Sequence, residues 1–224
     1  MLLPCFLEVA ARTGAQQLDL VELGTSGGLN LLWDGFRYRY AEGTWGGRSA
    51  YLELEGSERR TAPSELLAVT PGVRSRVGID LAPVDLMTDE GVALVKSFVW
   101  ADQTWRLDLL DRAVEAFRAD PPQIVRGNLV EELPGLLARR DDDALMLIWQ
   151  TAVFGYLSAD ERRAARGTIE QAGAGGPLAL VEAARPLDGS DDYYGLRLQI
   201  WPGGEHVEVG HGDWHGAWLD WLAA

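Results

Sequence analysis

The segment LDLVELGTSGGLNLLW, residues 18–33, constrains the fold of this chain more than any other stretch. It runs from an apolar stretch through a glutamate and three glycines into a second apolar stretch that begins at Leu29. This order predicts a buried strand, a glycine-rich turn and a helix that opens at Leu29. Such a turn is suited to a nucleotide or another polar ligand, because we expect its backbone N–H groups to point outward.

Strand patterns alternate with helix patterns along most of the chain, which predicts an α/β fold with a mostly parallel sheet. The length suits a single domain over residues 1–224. The segment 35–56 alternates aromatic and polar residues around Gly46 and Gly47, and this predicts a β-hairpin inserted after the first helix. A C-terminal antiparallel hairpin is expected to turn at 203–204. The pattern indicates about seven strands, near positions 18, 77, 124, 145, 178, 196 and 205.

The composition bears on partners and compartment. A formal net charge of −14 argues against nucleic acid as a partner, since binding its phosphates needs a basic surface. No apolar run approaches the roughly 20 residues of a membrane span, so no membrane partner is expected. The single cysteine, Cys5, fits a reducing compartment, and the first residues lack the basic region of a signal peptide. We therefore expect a cytoplasmic protein, with homo-oligomerisation left open.

The turn satisfies the pattern acid-x-Gly-x-x-x-Gly through Glu22, Gly24 and Gly28, which suits an adenosyl cofactor. In this interpretation Glu22 orients polar groups of the ligand, and the glycines let the ligand lie against the backbone. Asp80 ends the next predicted strand and would accept hydrogen bonds from ribose hydroxyls. Asn128, after the third parallel strand, would then lie near the adenine edge.

Three other interpretations of the turn stay open. A dinucleotide site needs Gly-x-Gly-x-x-Gly, but Ser26 stands where the second glycine belongs. A hydrolase nucleophile elbow needs Gly-x-Ser-x-Gly, which Gly24, Ser26 and Gly28 satisfy, and His211 or His215 follows later in the chain. Against it, only 23 residues precede Gly24, which leaves no room for the upstream strands and oxyanion loop of such enzymes. The turn can also be purely structural.

Ligands of open α/β sheets bind at the carboxyl ends of the strands, close to the point where the strand order reverses. Polar residues that leave the predicted strands at this edge are therefore candidates for the site. They are Glu22, Ser26, Asp80, Asn128, Gln150, Thr151 and Glu182.

The C-terminal segment HGDWHGAWLDW is rich in tryptophan and histidine. Trp214, Trp218 and Trp221 recur at spacings of four and three, which predicts a short helix with one aromatic face on the core. His211 and His215 are candidates for a general base, but without a third clustered ligand no metal site is expected.

Several segments together carry a resemblance to a known family. They are VELGTSGGLNLLWDGFRYRY, RVGIDLAPVDL, FVWADQTWRLDLLDRAV, VRGN and HGDWHGAWLDW. From Leu18 to Trp221 the chain resembles a bacterial family of uncharacterised proteins, a domain of unknown function whose core is similar to S-adenosylmethionine-dependent methyltransferases. The most specific segments are 28–31 and 76–80. The resemblance implies a Rossmann-like methyltransferase fold, with a seven-stranded sheet and helices on both faces, and no established reaction.

The resemblance also implies S-adenosylmethionine as the cofactor, with Asp80 at its ribose. Taken with the strand-end residues, it defines a set of candidate cofactor residues. They are Glu22, Gly24, Thr25, Ser26, Gly27, Gly28, Asn30, Asp80, Asn128, Leu129 and Gln150. Tyr38, Tyr156 and His215 are candidates for the acceptor side of the site.

The chain departs from the methyltransferase pattern in several places. Asn128 stands where an aspartate often follows the third strand. Trp149-Gln150-Thr151 replaces the Asn/Asp-Pro-Pro-aromatic motif, which disfavours the amino groups of bases as acceptors. Residues 185–195 are too short and polar for the usual helix before the terminal hairpin. Family members are expected to carry a longer helical N-terminal part, without which the site would be open or closed by a partner.

The sequence thus predicts an S-adenosylmethionine-dependent methyltransferase that acts on a small-molecule or protein acceptor. A methyltransferase-like protein that binds a ligand or partner without catalysis is the first alternative. A serine hydrolase that uses Ser26 is the second.

Overall fold

The computed structural model describes residues 1–141 and 143–223. The described residues form one sheet of nine strands and one of three. The strands are β1 (Gln17–Leu23), β2 (Arg37–Tyr40), β3 (Gly43–Trp45), β4 (Glu53–Glu55), β5 (Ser57–Arg60), β6 (Gly72–Asp80), β7 (Gln123–Arg126), β8 (Leu145–Thr151), β9 (Leu178–Ala184), β10 (Tyr194–Trp201), β11 (Glu205–Gly212) and β12 (Trp218–Trp221). The helices are α1 (Leu3–Thr13), α2 (Ser64–Leu67), α3 (Asp89–Ser97), α4 (Trp105–Ala119), α5 (Leu129–Leu137), α6 (Val153–Tyr156) and α7 (Ala159–Ala174), with a 3-10 helix at Leu29–Gly35.

Helix starts follow capping residues in the sequence. Thr88 begins α3 by accepting a hydrogen bond from the Gly91 N–H, and Ser158 forms a reciprocal capping box with Glu161 at the start of α7. The helix predicted at Leu29 is present as the 3-10 helix. No helix within the described ranges is long and apolar enough to cross a membrane.

The large sheet has the strand order β5-β12-β11-β10-β9-β8-β1-β6-β7. The pairs from β9 through β8, β1 and β6 to β7 are parallel, which confirms a mostly parallel sheet in this half. β10, β11 and β12 continue the sheet with antiparallel pairs, and β5 pairs in parallel with β12. The prediction of seven strands is wrong, because β12 and β5 extend the sheet beyond the terminal hairpin.

The tail 213–221 forms a turn followed by β12, so the predicted helix with three tryptophans on one face is wrong. Oδ2 of Asp213 accepts hydrogen bonds from the N–H groups of His215, at 2.8 Å, and Ala217, at 3.2 Å. Gly216 adopts a φ of 78°, a left-handed conformation that ends any helical path. Beyond the turn the backbone groups pair with β11.

The inserted hairpin is present, but it turns at residues 41–42, between β2 and β3. The Gly46–Gly47 pair lies after β3. Gly46 is needed for close packing, because its φ is 90° and a Cβ there would lie 2.2 Å from the Phe36 carbonyl oxygen. β4 then pairs in parallel with β2, so the insertion is a three-stranded sheet.

Side chains of the central strands alternate between two hydrophobic clusters, one on each face of the sheet. Leu18 and Leu20 belong to the cluster that includes residues of α1, the 3-10 helix and α4, which we call the α1 face. Val21 and Leu23 belong to the cluster that includes residues of α5 and α7, which we call the α7 face. Helices therefore cover both faces, as predicted.

Candidate functional site

The central strand β1 lies between β6 and β8, and the chain order reverses across the β1–β8 pair. A crevice forms outside the carboxyl ends of the strands at such a point. The glycine-rich turn 24–28 follows β1, Asp80 ends β6 and Thr151 ends β8. The fold therefore brings three of the sequence-predicted positions to one edge of the sheet.

The turn 24–28 is closed by hydrogen bonds within the protein. Its first two N–H groups donate to the carbonyl of Ile79 on β6, at 2.8 and 3.2 Å, and the N–H of Gly28 donates within the turn at 2.8 Å. The Ser26 N–H donates to Oδ2 of Asp80 at 2.7 Å. The expectation that the N–H groups point outward is wrong for these four, because the protein itself supplies their acceptors. A phosphate group would find no ready set of donors here.

The glycines of the turn make room for protein side chains. A Cβ on Gly24 would lie 2.6 Å from Cβ of Val153, and one on Gly28 would lie 2.9 Å from Cδ1 of Ile124. Both glycines also have positive φ angles, 72° and 77°. A bulky residue at Gly28 would therefore perturb the fold itself, so it is no clean test of ligand binding.

Asp80 presents hydrogen-bond acceptors at the same edge. Its Oδ2 accepts from the Ser26 N–H at 2.7 Å, and its Oδ1 accepts from the Ala82 N–H at 2.9 Å. Each carboxylate oxygen has two acceptor sites, so each retains one for a hydroxyl group. Leu81, the next residue, is 73% exposed and adds apolar surface beside the carboxylate. This combination suits a ligand with hydroxyl groups and an apolar ring.

Glu22 is only 2% exposed, and its hydrogen-bond partners are neutral. Its Oε2 pairs with the Thr25 hydroxyl at 2.5 Å, and its Oε1 accepts from Asn30 Nδ2 at 2.9 Å and Trp149 Nε1 at 3.1 Å. Burial raises the pKa of Glu22 to about 7; the three hydrogen bonds oppose this rise and the charge of Asp80 adds to it. The carboxyl group therefore changes protonation state close to neutral pH.

A cavity of about 560 Å³ lies on the α1 face and is called the aromatic cavity below. Its buried wall includes Leu3, Phe6, Trp33, Phe36, Tyr38 and Leu52. Its exposed wall includes Phe98, Trp105, Trp214 and His215. Asn30 and Thr151 also line it, and Asn30 is the residue that donates to Glu22. The cavity thus adjoins the turn, and its volume lies in the range of small-molecule sites.

A family model described as an uncharacterized protein conserved in bacteria (DUF2332) matches residues 1–221. The chain belongs to this family. The match confirms the resemblance to an uncharacterised bacterial family that the sequence segments carry. No curated protein matches the sequence of this chain. Because the family description names no reaction, the chemistry has to be inferred from the site.

The structure brings two of the three acceptor-side candidates to the aromatic cavity. Tyr38 lies in the buried wall, where its hydroxyl donates to the Trp33 carbonyl at 3.1 Å and burial raises its pKa well above the usual range. His215 lies in the exposed wall, with its ring 6.2 Å from the ring of Trp100. Tyr156 is 88% exposed and is not among the residues that line the cavity in the described structure.

Three of the candidate cofactor residues are engaged in the fold itself. Oδ1 of Asn128 accepts from the Val130 N–H at 2.9 Å and so caps α5. Leu129 is buried in the cluster of the α7 face. Gln150 is 1% exposed, and its amide donates to Oε1 of Glu182 at 3.3 Å. These side chains stabilise the edge of the sheet, and they are not among the residues that line the aromatic cavity in the described part of the chain.

Ser26 is exposed and has a φ of 52°, a backbone conformation that resembles a nucleophile elbow. Within residues 1–141 and 143–223, however, no hydrogen bond joins its side chain to a histidine. Nε2 of His211 lies 3.1 Å from Oε1 of Glu208, and His215 lies in the wall of the cavity. The described residues therefore place neither histidine as a general base beside Ser26.

Sequence reasoning missed the contact between Glu22 and Trp149, which are 127 residues apart. Both residues lie in predicted strands, but only the structure shows that β1 and β8 pair in parallel with the two residues opposite each other, so that their side chains lie on one face. The aromatic cavity had no local signal. Its wall comes from α1, the insertion, α4 and the tail, which are distant in the chain.

Proposed function

We propose that this protein is an S-adenosylmethionine-dependent methyltransferase that acts on a small-molecule or protein acceptor. The observation that carries the proposal is the position of Asp80. Its half-buried carboxylate lies at the carboxyl edge of the sheet, fixed by the Ser26 N–H of the glycine-rich turn. An acidic side chain at this place in an α/β sheet is suited to ribose hydroxyls.

The donors and acceptors of the edge favour an adenosyl sulfonium ligand over a dinucleotide. The N–H groups of the turn are used within the protein, so a pyrophosphate lacks donors. Asp80 retains acceptor sites, and the chain carries a net charge of −14, which attracts a cationic group. Leu81 offers apolar surface for a base. The residues present therefore fit the cofactor that the sequence predicts.

Asp80 would hold the ribose hydroxyls, and the backbone of the turn would lie along the ligand. When bound, S-adenosylmethionine supplies an electrophilic methyl group. Asn30 and Thr151 line the aromatic cavity, where they would position an acceptor. The buried apolar wall would exclude water from the acceptor. Methyl transfer depends mainly on such positioning and desolvation.

The first experiment is calorimetric titration of the folded chain with S-adenosylmethionine and S-adenosylhomocysteine. We expect binding of both, weakened about tenfold or more by Asp80→Ala, because a hydrogen-bonding carboxylate is removed. Glu170→Ala is the matched control, since Glu170 is an exposed acid on α7, and this variant should bind as the wild type does. Absence of binding by the folded wild type, or unchanged binding by Asp80→Ala, would overturn the proposal.

A ligand-binding protein without catalysis is the second candidate. It is favoured by Tyr38, whose hydroxyl is occupied by the Trp33 carbonyl and whose raised pKa keeps it protonated. Trp149-Gln150-Thr151 also lacks the acceptor motif of amino-group methyltransferases. Cofactor binding without methyl transfer to any acceptor that binds the aromatic cavity would favour this candidate.

A further inference from the structure

Among the described residues, four acidic or basic side chains line the aromatic cavity: Arg39, Glu55, Glu58 and Arg106. Three of them have charged or backbone partners within the protein. Nη1 of Arg39 pairs with Oε2 of Glu55 at 3.2 Å, and Glu58 accepts two backbone N–H groups. Arg106 is different. Its Nη1 donates to Oε1 of Gln103 at 2.9 Å, and it forms no ion pair within the part of the chain that the structure describes.

The position of Arg106 makes an external anion the natural partner. The residue is half-buried in the first turn of α4, next to the exposed Trp105. The N-terminal end of a helix carries partial positive charge, so a cation there is unfavourable unless an anion offsets it. Asp108 lies in the same turn but two positions away, on a different side of the helix. Most of the five N–H donors of the guanidinium thus remain available.

A second observation also indicates a ligand. The aromatic cavity has aromatic rings in both its buried and its exposed wall, among them Phe6, Trp33 and Trp105. Trp105 is 60% exposed. A flat apolar body in the cavity would remove such rings from water and pack against their faces, which favours a ring as the body of the ligand.

We infer that the aromatic cavity binds a planar aromatic carboxylate, whose carboxylate group pairs with Arg106 and whose ring lies against the aromatic wall. The aromatic wall contacts the rings, and the planar guanidinium fits a carboxylate with two parallel hydrogen bonds. A dianionic phosphate is less suitable, because Glu55 and Glu58 line the same cavity and repel the second charge. The role of this ligand as the methyl acceptor rests on the proposed function, whereas its binding to the aromatic cavity does not.

The test uses calorimetry without S-adenosylmethionine, with 6-methoxy-2-naphthoate and its methyl ester as probes. The wild type should bind the anion at least about tenfold more tightly than the ester, because the guanidinium hydrogen bonds are charge-assisted. Arg106→Gln should abolish this preference. Arg112→Gln removes the same charge from an exposed position of α4 outside the cavity wall, and it should retain the preference.

A second variant tests the aromatic wall. Trp105→Ala removes an exposed ring from this wall, should weaken both probes about fivefold and should leave the preference for the anion in place. Equal binding of anion and ester by the wild type, or a preference unchanged in Arg106→Gln, would overturn the inference. Because the cofactor is absent, the result is separate from the cofactor titration. Probe binding with no cofactor binding refutes the methyltransferase alone, and cofactor binding with no probe binding refutes the carboxylate site alone.

Discussion

Glu22 and Glu182 are two glutamates with the same 2% exposure, at the carboxyl ends of β1 and β9 in one sheet. They lie on opposite faces and have different partners. Oε1 of Glu182 accepts from Arg166 Nη2 at 2.6 Å and from Gln150 Nε2 at 3.3 Å, on the α7 face. Glu22, on the α1 face, is bonded by a hydroxyl, an amide and an indole.

The difference separates a structural carboxylate from one that responds to its surroundings. A buried carboxylate with a guanidinium partner has its charge compensated within the fold. A buried carboxyl with neutral donors is costly when ionised, and its protonation then follows pH and nearby charge. Glu22 is a carboxyl of this second kind, and Asn30, which donates to it, lines the aromatic cavity. A cationic ligand at the turn would therefore favour the ionised form of Glu22.

The largest expected effect is at the compensated site. Arg166→Ala leaves Glu182 buried without a cation, and we expect a loss of about 4 kcal/mol in the free energy of unfolding. Urea denaturation at pH 7 measures it. Arg163→Ala is the control on the same helix, because Arg163 pairs with Asp160 on the exposed surface. This variant should lose less than about 0.5 kcal/mol in the free energy of unfolding. Equal losses in the two variants would contradict the distinction.

The next effect is at Glu22 and depends on pH. Its pKa is 4.5 in the unfolded chain and about 7 in the folded protein. Below pH 4.5 both states are protonated, so the residue costs nothing. Between pH 4.5 and 7 the unfolded state alone releases the proton, and stability falls; above pH 7 the loss is complete.

Glu22→Gln removes this titration and keeps groups that can hydrogen-bond to the same partners. The free energy of unfolding of the variant, relative to that of the wild type, should rise by about 3 kcal/mol from pH 4.5 to pH 8. Denaturation at a series of pH values measures this rise. A difference between the two proteins that is constant over this range would show that Glu22 does not titrate there.

The smallest effect is at the hydroxyl that bonds Glu22. Thr25→Val keeps the shape of the side chain and removes the hydroxyl, so ionised Glu22 loses one partner. At pH 8 we expect a loss of about 1 kcal/mol in unfolding free energy. At pH 5, where Glu22 is protonated, the loss should be smaller. The same loss at both pH values would assign it to packing alone.

Much of the parallel half of the sheet could be predicted from the sequence, because its signals are local. β1, β8 and β9 are short runs of mostly apolar residues, and β6 and β7 contain shorter apolar segments. The extra strands had no such signal. β5 has the polar sequence SERR and pairs with β12, about 160 residues away, through backbone groups and the ion pair of Arg60 with Asp220. β12 is four residues long, and tryptophans at 214, 218 and 221 fit a helical period until the turn at Gly216 is known.

The candidate site was predictable only in part, for a similar reason. Asp80 and the turn lie at ends of predicted strands, so parallel pairing brings them together. Whether a side chain faces a ligand or the fold depends on tertiary partners, however. Gln150 and Asn128 were chosen by position, and the structure gives them Glu182 and the start of α5 as partners. The glycines likewise face Val153 and Ile124.

The pairing of β5 with β12 at the edge of the large sheet is coupled to the binding of a ligand in the aromatic cavity. Ser57 and Glu58 of β5 line the cavity, as do Trp218 and Leu219 of β12. A ligand that binds only when these strands are paired must stabilise the pairing by linkage. At one hundred times its dissociation constant this amounts to about 2.7 kcal/mol. The amide protons of β12 would then exchange with solvent about a hundredfold more slowly, which turns this sheet edge into an internal reporter of the ligand, whatever reaction follows.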